Sequence, residues 1–480
     1  MKIKILFYIV VCIVGTMFFT SCDDYLDINT NPNQSQTSRA DLQLSSAQLY
    51  IGNAIGDRLF SQTNIWCQYN TGGPGVSIGD WDQNTMNSTD ANQVFINLYR
   101  SSSNLSFLQS GHNGYKAIGK ILTAYNMQVC ADLFGDIPFT EAIRGDINDG
   151  SIFNPKYDNA KEVVYPGIEK LLIDAIALIG KVGATDVVDG DLMYAGDLGK
   201  WNRFANSLLL KVYTRIADKA KLATLVASGD FMASNSDNAK IAYAGNSKGS
   251  NPFWSDAKST ALGNFYVASK TTMDFLQGNS DPRISLFFNP GTAGHLGLKH
   301  GDVQNAPATA SFSRPNGALA ATGGLIFGPK IPVILMTVWE VKFLLAEAAA
   351  KGFAGGDAKA LYEAAMYANS DYLGSDSASM SKYILEKGAF DASNGVKSIA
   401  IQKWASMNNL QPVESWIETR RFDNATNPLF DSPGGLFAVP TRNVLGGNKF
   451  PSILFYPENE QSLNKNFVGQ HSLTDKVFWD

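Results

Sequence analysis

Apolar residues recur at helical spacing through most of this chain, and no run of alternating strand pattern separates the stretches where they do. Leu42, Leu44, Ala47, Leu49, Ile51, Ile55 and Leu59 mark the first such stretch; Val94 to Leu108, Tyr115 to Leu133, Val163 to Ile179 and Phe204 to Ala220 supply others. A 3.6-residue period cannot settle as a sheet, so the pattern predicts an all-α body built from packed helices. The clearest helix runs from Thr337 to Lys351. Thr337 and Glu340 are spaced as a capping box, ahead of Val341, Phe343, Leu344, Leu345 and a small-residue face of Ala346, Ala348, Ala349 and Ala350. Gly352, Gly355 and Gly356 end it, and a second helix from Asp357 through Leu361, Tyr362, Ala365 and Tyr367 follows at once. An alanine-rich pair of this kind packs closely as a helix-turn-helix, as in tetratricopeptide units, although their strict repeat signature is absent.

With 480 residues, 45% of them hydrophobic, the chain can bury a large core. Its 39 basic and 44 acidic residues leave a formal charge of −5 without a long basic run, which excludes a protein made chiefly to grip a nucleic acid backbone. Four histidines and four cysteines, widely scattered, do not match zinc or haem spacing. No cofactor or metal is expected.

The N-terminus carries an address. Residues 1–21 have a lysine-bearing start, an apolar run from Ile5 to Phe19 and small polar residues before Cys22. The run is shorter than the roughly 20 residues of a spanning helix, so it reads as an export signal. Cys22 after Thr20-Ser21 resembles a bacterial lipobox, with Phe19 in place of the usual Leu. Lipidation of Cys22 would hold the protein on a membrane through acyl chains, at roughly 0.8 kcal/mol per buried methylene. The acidic run Asp23-Asp24-Tyr25-Leu26-Asp27 resembles the surface-export signal of Bacteroidota lipoproteins. Residues 22–40, polar around Pro32, read as a tether, and 41–480 as a single body. Cys67 and Cys130 then remain as two thiols that either pair or pack separately.

Between the helical halves, from about residue 230 to 330, Gly, Ser, Asn and Pro punctuate Asn251-Pro252-Phe253-Trp254, Asp281-Pro282-Arg283 and Gly291 to Gly301. Loops on a helical scaffold are where binding residues gather. The segment from Gln62 to Asn84 is the leading site. It sets Trp66, Tyr69 and Trp81 among Gln62, Asn64, Gln68, Asn70, Asp80, Asp82, Gln83 and Asn84. A sugar ring presents an apolar C–H face and a rim of hydroxyls, to which an aromatic plane with amides and carboxylates is complementary. Trp81, between two aspartates in a polar loop, is the expected ligand platform, with Asp82 and Asn84 as hydrogen-bonding partners. Trp254 and Tyr266 form a second aromatic cluster, while Trp66 reads as a continuation of the helix before it.

Other polar constellations read as architecture. Asp132 and Asp136 around Gly135, before Pro138, have the composition of a helix end rather than an acid–base pair. Glu340 and Glu347 lie seven apart on one helix face. Arg203, Arg420 and Arg421 stand beside Trp201, Phe204, Trp416 and Phe422, which suits cation–π packing or buried ion pairing. No nucleophile elbow, Walker loop, zincin helix or Rossmann glycine pattern is present.

Several of these segments together resemble the SusD/RagB family, more narrowly its second SusD-like branch. They are Asp132 to Ile143, Gly196 to Ser207, Met336 to Gly352, Gln402 to Trp404 with Glu414 to Trp416 and Arg420-Arg421, and Tyr456 to Asn464. The resemblance implies one helical domain with tetratricopeptide-like pairs and a loop-rich ligand-binding portion. It also implies an outer-membrane lipoprotein facing the cell exterior that binds oligosaccharides and passes them to a SusC-like TonB-dependent transporter. Oligopeptide capture by the same architecture is the alternative, and a glycoside hydrolase a more distant one, since the family is non-catalytic. Its motifs are chiefly structural, so no binding residue is carried over.

Overall fold

The stretch from Leu42 to Leu59 forms two helices in the computed structural model, α1 (Ala40–Gly56) and α2 (Arg58–Trp66), because the backbone leaves helical geometry at Asp57. The structure describes residues 39–145, 152–246, 249–259, 262–302, 307–423, 428–431 and 433–480. The signal at 1–21, Cys22 and the tether as far as Ser38 lie outside the described residues.

After a short strand β1 (Asn70–Gly72) come α3 (Asn92–Phe107), α4 (Asn113–Phe134) and α5 (Tyr165–Ile179). The Phe204 to Ala220 stretch divides into α6 (Leu198–Arg215) and α7 (Lys219–Ser228). Asp218 ends the first by capping the second, its carboxylate accepting the Lys221 N–H at 3.0 Å. The middle third is richer in short elements than its Gly, Asn and Pro content suggests. It holds β2 (Ala239–Ile241), α8 (Pro252–Ser259), β3 (Tyr266–Ala268), α9 (Lys270–Gly278), α10 (Ile284–Phe287), β4 (Phe288–Asn289), β5 (Arg314–Pro315) and β6 (Val333–Met336). The strands pair antiparallel and only in twos: β1 with β3, β2 with β6, β4 with β5. Helices resume with α11 (Val338–Ala350), α12 (Ala358–Leu373), α13 (Ser377–Glu386), α14 (Gly395–Met407), α15 (Pro412–Phe422) and the short α16 (Glu458–Leu463).

The body is mostly helical, as the period requires. Residues 40–480 form one compact unit in which consecutive helices pack as neighbours: α3 on α4, α4 on α5, α5 on α6, α11 on α12. At the start of α11 only half of the capping box forms. Thr337 Oγ1 accepts the Glu340 N–H at 3.2 Å, but the Glu340 side chain turns inward to Lys211 at 2.6 Å and to Gln411 at 2.7 Å. Cys67 and Cys130 are separate, buried thiols.

Charge lies at the centre of the helical layers. Lys211 and Arg215, one turn apart on α6, belong to a network that runs through Asp132 of α4, Glu340 and Glu347 of α11, Lys403 of α14, and Glu414, Glu418 and Arg421 of α15. Arg215 pairs with Asp132 and Glu414 and reaches Glu418 at 2.8 Å. Lys403 meets Glu418 at 2.7 Å. Arg421 forks onto Glu347 at 2.7 and 2.6 Å and also reaches Glu418 at 2.7 Å. Asp132 is thereby committed to structure, accepting from Tyr165 at 2.5 Å and Gln128 at 2.9 Å. Asp136 instead accepts the Ala160 N–H at 2.7 Å. Arg420 lies 4.0 Å over Trp416 and Arg421 4.4 Å over Phe422.

Stripping one partner from a buried, hydrogen-bonded pair leaves the other charge unpaid in a dry site, at a cost of about 3–5 kcal/mol. Arg421→Ala is therefore expected to lower the unfolding free energy read from a urea titration by that amount, and Glu347→Ala likewise. Burial alone would raise the Glu347 carboxyl, but Arg421 and Lys351 outweigh it and hold it at about 2. A carboxyl whose folded pKa is depressed adds stability above its unfolded pKa and loses it as pH falls through the folded one. Denaturant midpoints should thus decline from roughly pH 4.5 toward pH 2, and the Glu347→Gln variant should show a shallower decline.

Candidate functional site

The two aromatic clusters singled out in the sequence come together. Strand β1 lies antiparallel to β3, with Asn70 opposite Ala268 and Gly72 opposite Tyr266. The Tyr266 hydroxyl lies against Ser61 of α2, and its ring meets Phe253 edge-on at 5.3 Å. Phe253 in turn touches Phe60 at 5.1 Å and Phe327 at 5.0 Å. Beside it on α8, Trp254 packs on Phe327 at 5.0 Å, and the Lys258 ammonium one turn on sits 4.6 Å from the Trp254 ring.

Trp81 is not the exposed platform its polar neighbours suggested. It is 3% exposed, and its indole N–H donates to Asp90 Oδ2 at 3.1 Å. Asp80 and Asn84 both adopt left-handed backbone (φ 58°) and bracket a tight turn at residues 81–83. Asp and Asn tolerate that conformation, and the turn drives the indole inward. Gly79 allows it: at φ +61°, a Cβ there would stand 2.6 Å from the indole. The proposed partners are buried as well. Asp82 accepts Ser77 Oγ at 2.6 Å, and burial raises its pKa against that bond. Asn84 donates to the Lys449 carbonyl at 3.2 Å.

The remaining aromatics are core. Trp66 packs on Trp416 at 5.0 Å. Tyr69 is fully buried and donates to the Trp404 carbonyl at 2.5 Å. Tyr266 is 2% exposed. The amides among them act as struts: Gln68 donates to the Ala438 carbonyl at 2.6 Å while its own oxygen accepts the Ala438 N–H at 3.0 Å. Among the seven aromatic and polar residues read as ligand contacts, Trp254 alone is partly exposed.

What reaches solvent above this core is a charged rim. The Arg58 side chain, 51% exposed, bonds Asp90 Oδ1 at 3.0 Å and lies 5.7 Å over Trp81. Next to it, burial and the nearby Asp256 raise the Asp57 carboxyl to about 6, against the pull of Arg58. Asp57 and Arg58 sit where α1 gives way to α2, and Asp256 and Lys258 share α8 with Trp254. Sequence reading passed over these four; the signal for the last two was their spacing, two and four residues after an aromatic. Together they set donors and acceptors around a half-buried Trp254 whose ring the Lys258 ammonium overlies. Among the described residues no group of three His, Cys, Asp or Glu side chains converges to hold a metal ion.

A family model for SusD-like proteins, described as starch-binding and associating with the outer membrane, matches residues 32–433. The chain belongs to the SusD-like family. Solved structures agree on the fold. A chitin-binding protein superposes with a TM-score of 0.76 at 21% identity, over 91% of this chain and 99% of that one. A SusD homologue from Bacteroides fragilis gives 0.73 at 22%, over 90% and 99%. A SusD-like protein from Bacteroides thetaiotaomicron gives 0.72 at 20%, over 92% and 98%. No curated protein matches the sequence. SusD-like proteins are a binding family associated with the outer membrane, and no helix among the described residues is long and apolar enough to cross a membrane.

Because Trp81 is packed and hydrogen-bonded inside, Trp81→Ala is expected to destabilise the fold by about 3–5 kcal/mol, the range for emptying a buried indole. A thermal melt should register the loss. An unchanged melting temperature would return the indole to the surface.

Proposed function

We propose that this SusD-like chain is a cell-surface lipoprotein that captures oligosaccharides and passes them to a SusC-like TonB-dependent transporter. The observation that carries the reading is the match of residues 32–433 to a family described as starch-binding at the outer membrane. The likeness to a chitin-binding protein over 91% of the chain supports a saccharide ligand. Trp254 then takes the place first given to Trp81. Its indole supplies the stacking face, and Asp57, Arg58 and Asp256 supply hydrogen bonds to hydroxyls. Cys22 is the lipid anchor and the residues from there up to α1 the tether. A non-catalytic role is supported by the family, which is one of binding proteins; Asp132 and Asp136 are engaged in an ion pair and a backbone cap.

Removing an aromatic contact from a ligand face weakens binding by roughly 1–3 kcal/mol, about five- to a hundredfold in affinity. Trp254→Ala should show that loss in calorimetry with starch and chitin oligosaccharides and leave the melting temperature within a few degrees. Full affinity in the variant removes Trp254 from the site, and binding of oligopeptides in place of every saccharide tried replaces the ligand class.

Metabolic labelling with a fatty acid should mark the wild type and not Cys22→Ser. Affinity purification after gentle detergent extraction should recover a TonB-dependent transporter. Repeated recovery of the lipoprotein alone would make it an independent binder.

A further inference from the structure

A second cleft, of about 420 Å³, opens between α9 and the Leu436–Ala438 segment. It is distinct from the Trp254 rim, lying at the opposite end of α2: Gln68, just past that end, holds Ala438, and His300 on the cleft wall bonds the Ile65 carbonyl at 2.9 Å. Its chemistry is uneven. Leu436 and Ala438 make one wall apolar. Facing them is Phe275, half-buried, whose ring is anchored edge-on against Trp404 at 5.4 Å.

Two lysines line the same opening. Lys270 is neutralised by Asp274 on the next turn, at 2.9 and 2.7 Å. Lys299 is exposed and, among the described residues, has no carboxylate partner. His300 adds no charge at neutral pH, because burial pushes it down to about 4. The lining therefore carries one uncompensated positive charge beside an aromatic face, in a chain whose net charge is −5.

We infer that this cleft is a second saccharide subsite that takes an acidic sugar unit, a uronate, with Phe275 under the C–H face of the ring and Lys299 at its carboxylate. The inference rests on the saccharide-binding function proposed above and adds a ligand class to it. A neutral sugar would use the aromatic face alone; the unpaired ammonium gives the carboxylate its advantage, and the cleft is wide enough for a pyranose with its ring water.

The test is calorimetry on the full-length lipoprotein in detergent, with trigalacturonate and with its methyl ester, the uncharged analogue of the same shape. The acid should bind three- to tenfold more tightly at low salt, and the difference should shrink as salt screens an exposed charge. Lys299→Gln should abolish the difference and leave the ester unaffected; Phe275→Ala should weaken both. Equal binding of acid and ester, or a preference that survives Lys299→Gln, overturns the inference. If starch oligosaccharides still bind in a Trp254-dependent way, the proposed function stands without it. Failure of every saccharide to bind sinks both. Tighter binding of a triaspartate peptide than of trigalacturonate would make the cleft a peptide site instead.

Discussion

Five helices of this protein are held together by charges sunk almost entirely in its interior. Glu418 is shared between Arg215 and Arg421, taking Arg215 at 2.8 Å, Lys403 at 2.7 Å and Arg421 at 2.7 Å. Burial would raise the Glu418 carboxyl, yet the three cations outweigh it and hold it well below the usual range. Such a network contributes little net stability over a well-packed apolar core, because desolvating the ions costs nearly what their pairing returns. What it does impose is registry. Each charge is satisfied in one relative placement of α4, α6, α11, α14 and α15, so a slipped helix would strand a bare ion.

The same principle fastens the loop-rich third to the helices. Arg283 is completely buried and bonded to Asp281 at 2.9 and 2.6 Å. From there its guanidinium reaches Asn369 of α12 and Ser406 of α14, each at 2.9 Å. The Asp281-Pro282-Arg283 turn is thus a clasp, not a mobile linker. Gln68 makes a second clasp onto Ala438, and Val444 donates to the Gln83 carbonyl at 2.9 Å to make a third. Loops held this way are ordered before a ligand arrives, which spares the entropy of fixing them on binding.

Helices were legible in the sequence because their signal is periodic and local. Their interruptions at Asp57 and Asp218 were not, since an aspartate inside an apolar repeat looks like an ordinary surface residue. Arg420 and Arg421 were readable as packed cations from the aromatics beside them. Lys211, Arg215 and Lys403 were not, because their partners lie on other helices, from 15 positions away for Lys403 to 203 for Arg215. Trp81 failed for a related reason. Polar neighbours at 80, 82 and 84 suggested a wet loop, but two left-handed residues reverse the chain there, and the partner that accepts the indole N–H, Asp90, is nine positions away. A buried amide or carboxylate looks the same in sequence as one waiting for a sugar.

That ambiguity follows from how a binding rim is made on a helical scaffold. An aromatic residue can present one face to a ligand only if its other face and edges are held, and the holding is done by further aromatics. Phe253, Tyr266, Phe327 and Trp254 form one continuous packed set, and only its outermost member, Trp254, meets solvent. Composition marks the whole set as aromatic and polar without ranking it by depth. Depth is set by long-range pairing, here β1 against β3, which carries Tyr266 under α2. A search for such a site is therefore better begun from the pairing of the strands than from the most polar surroundings of a tryptophan.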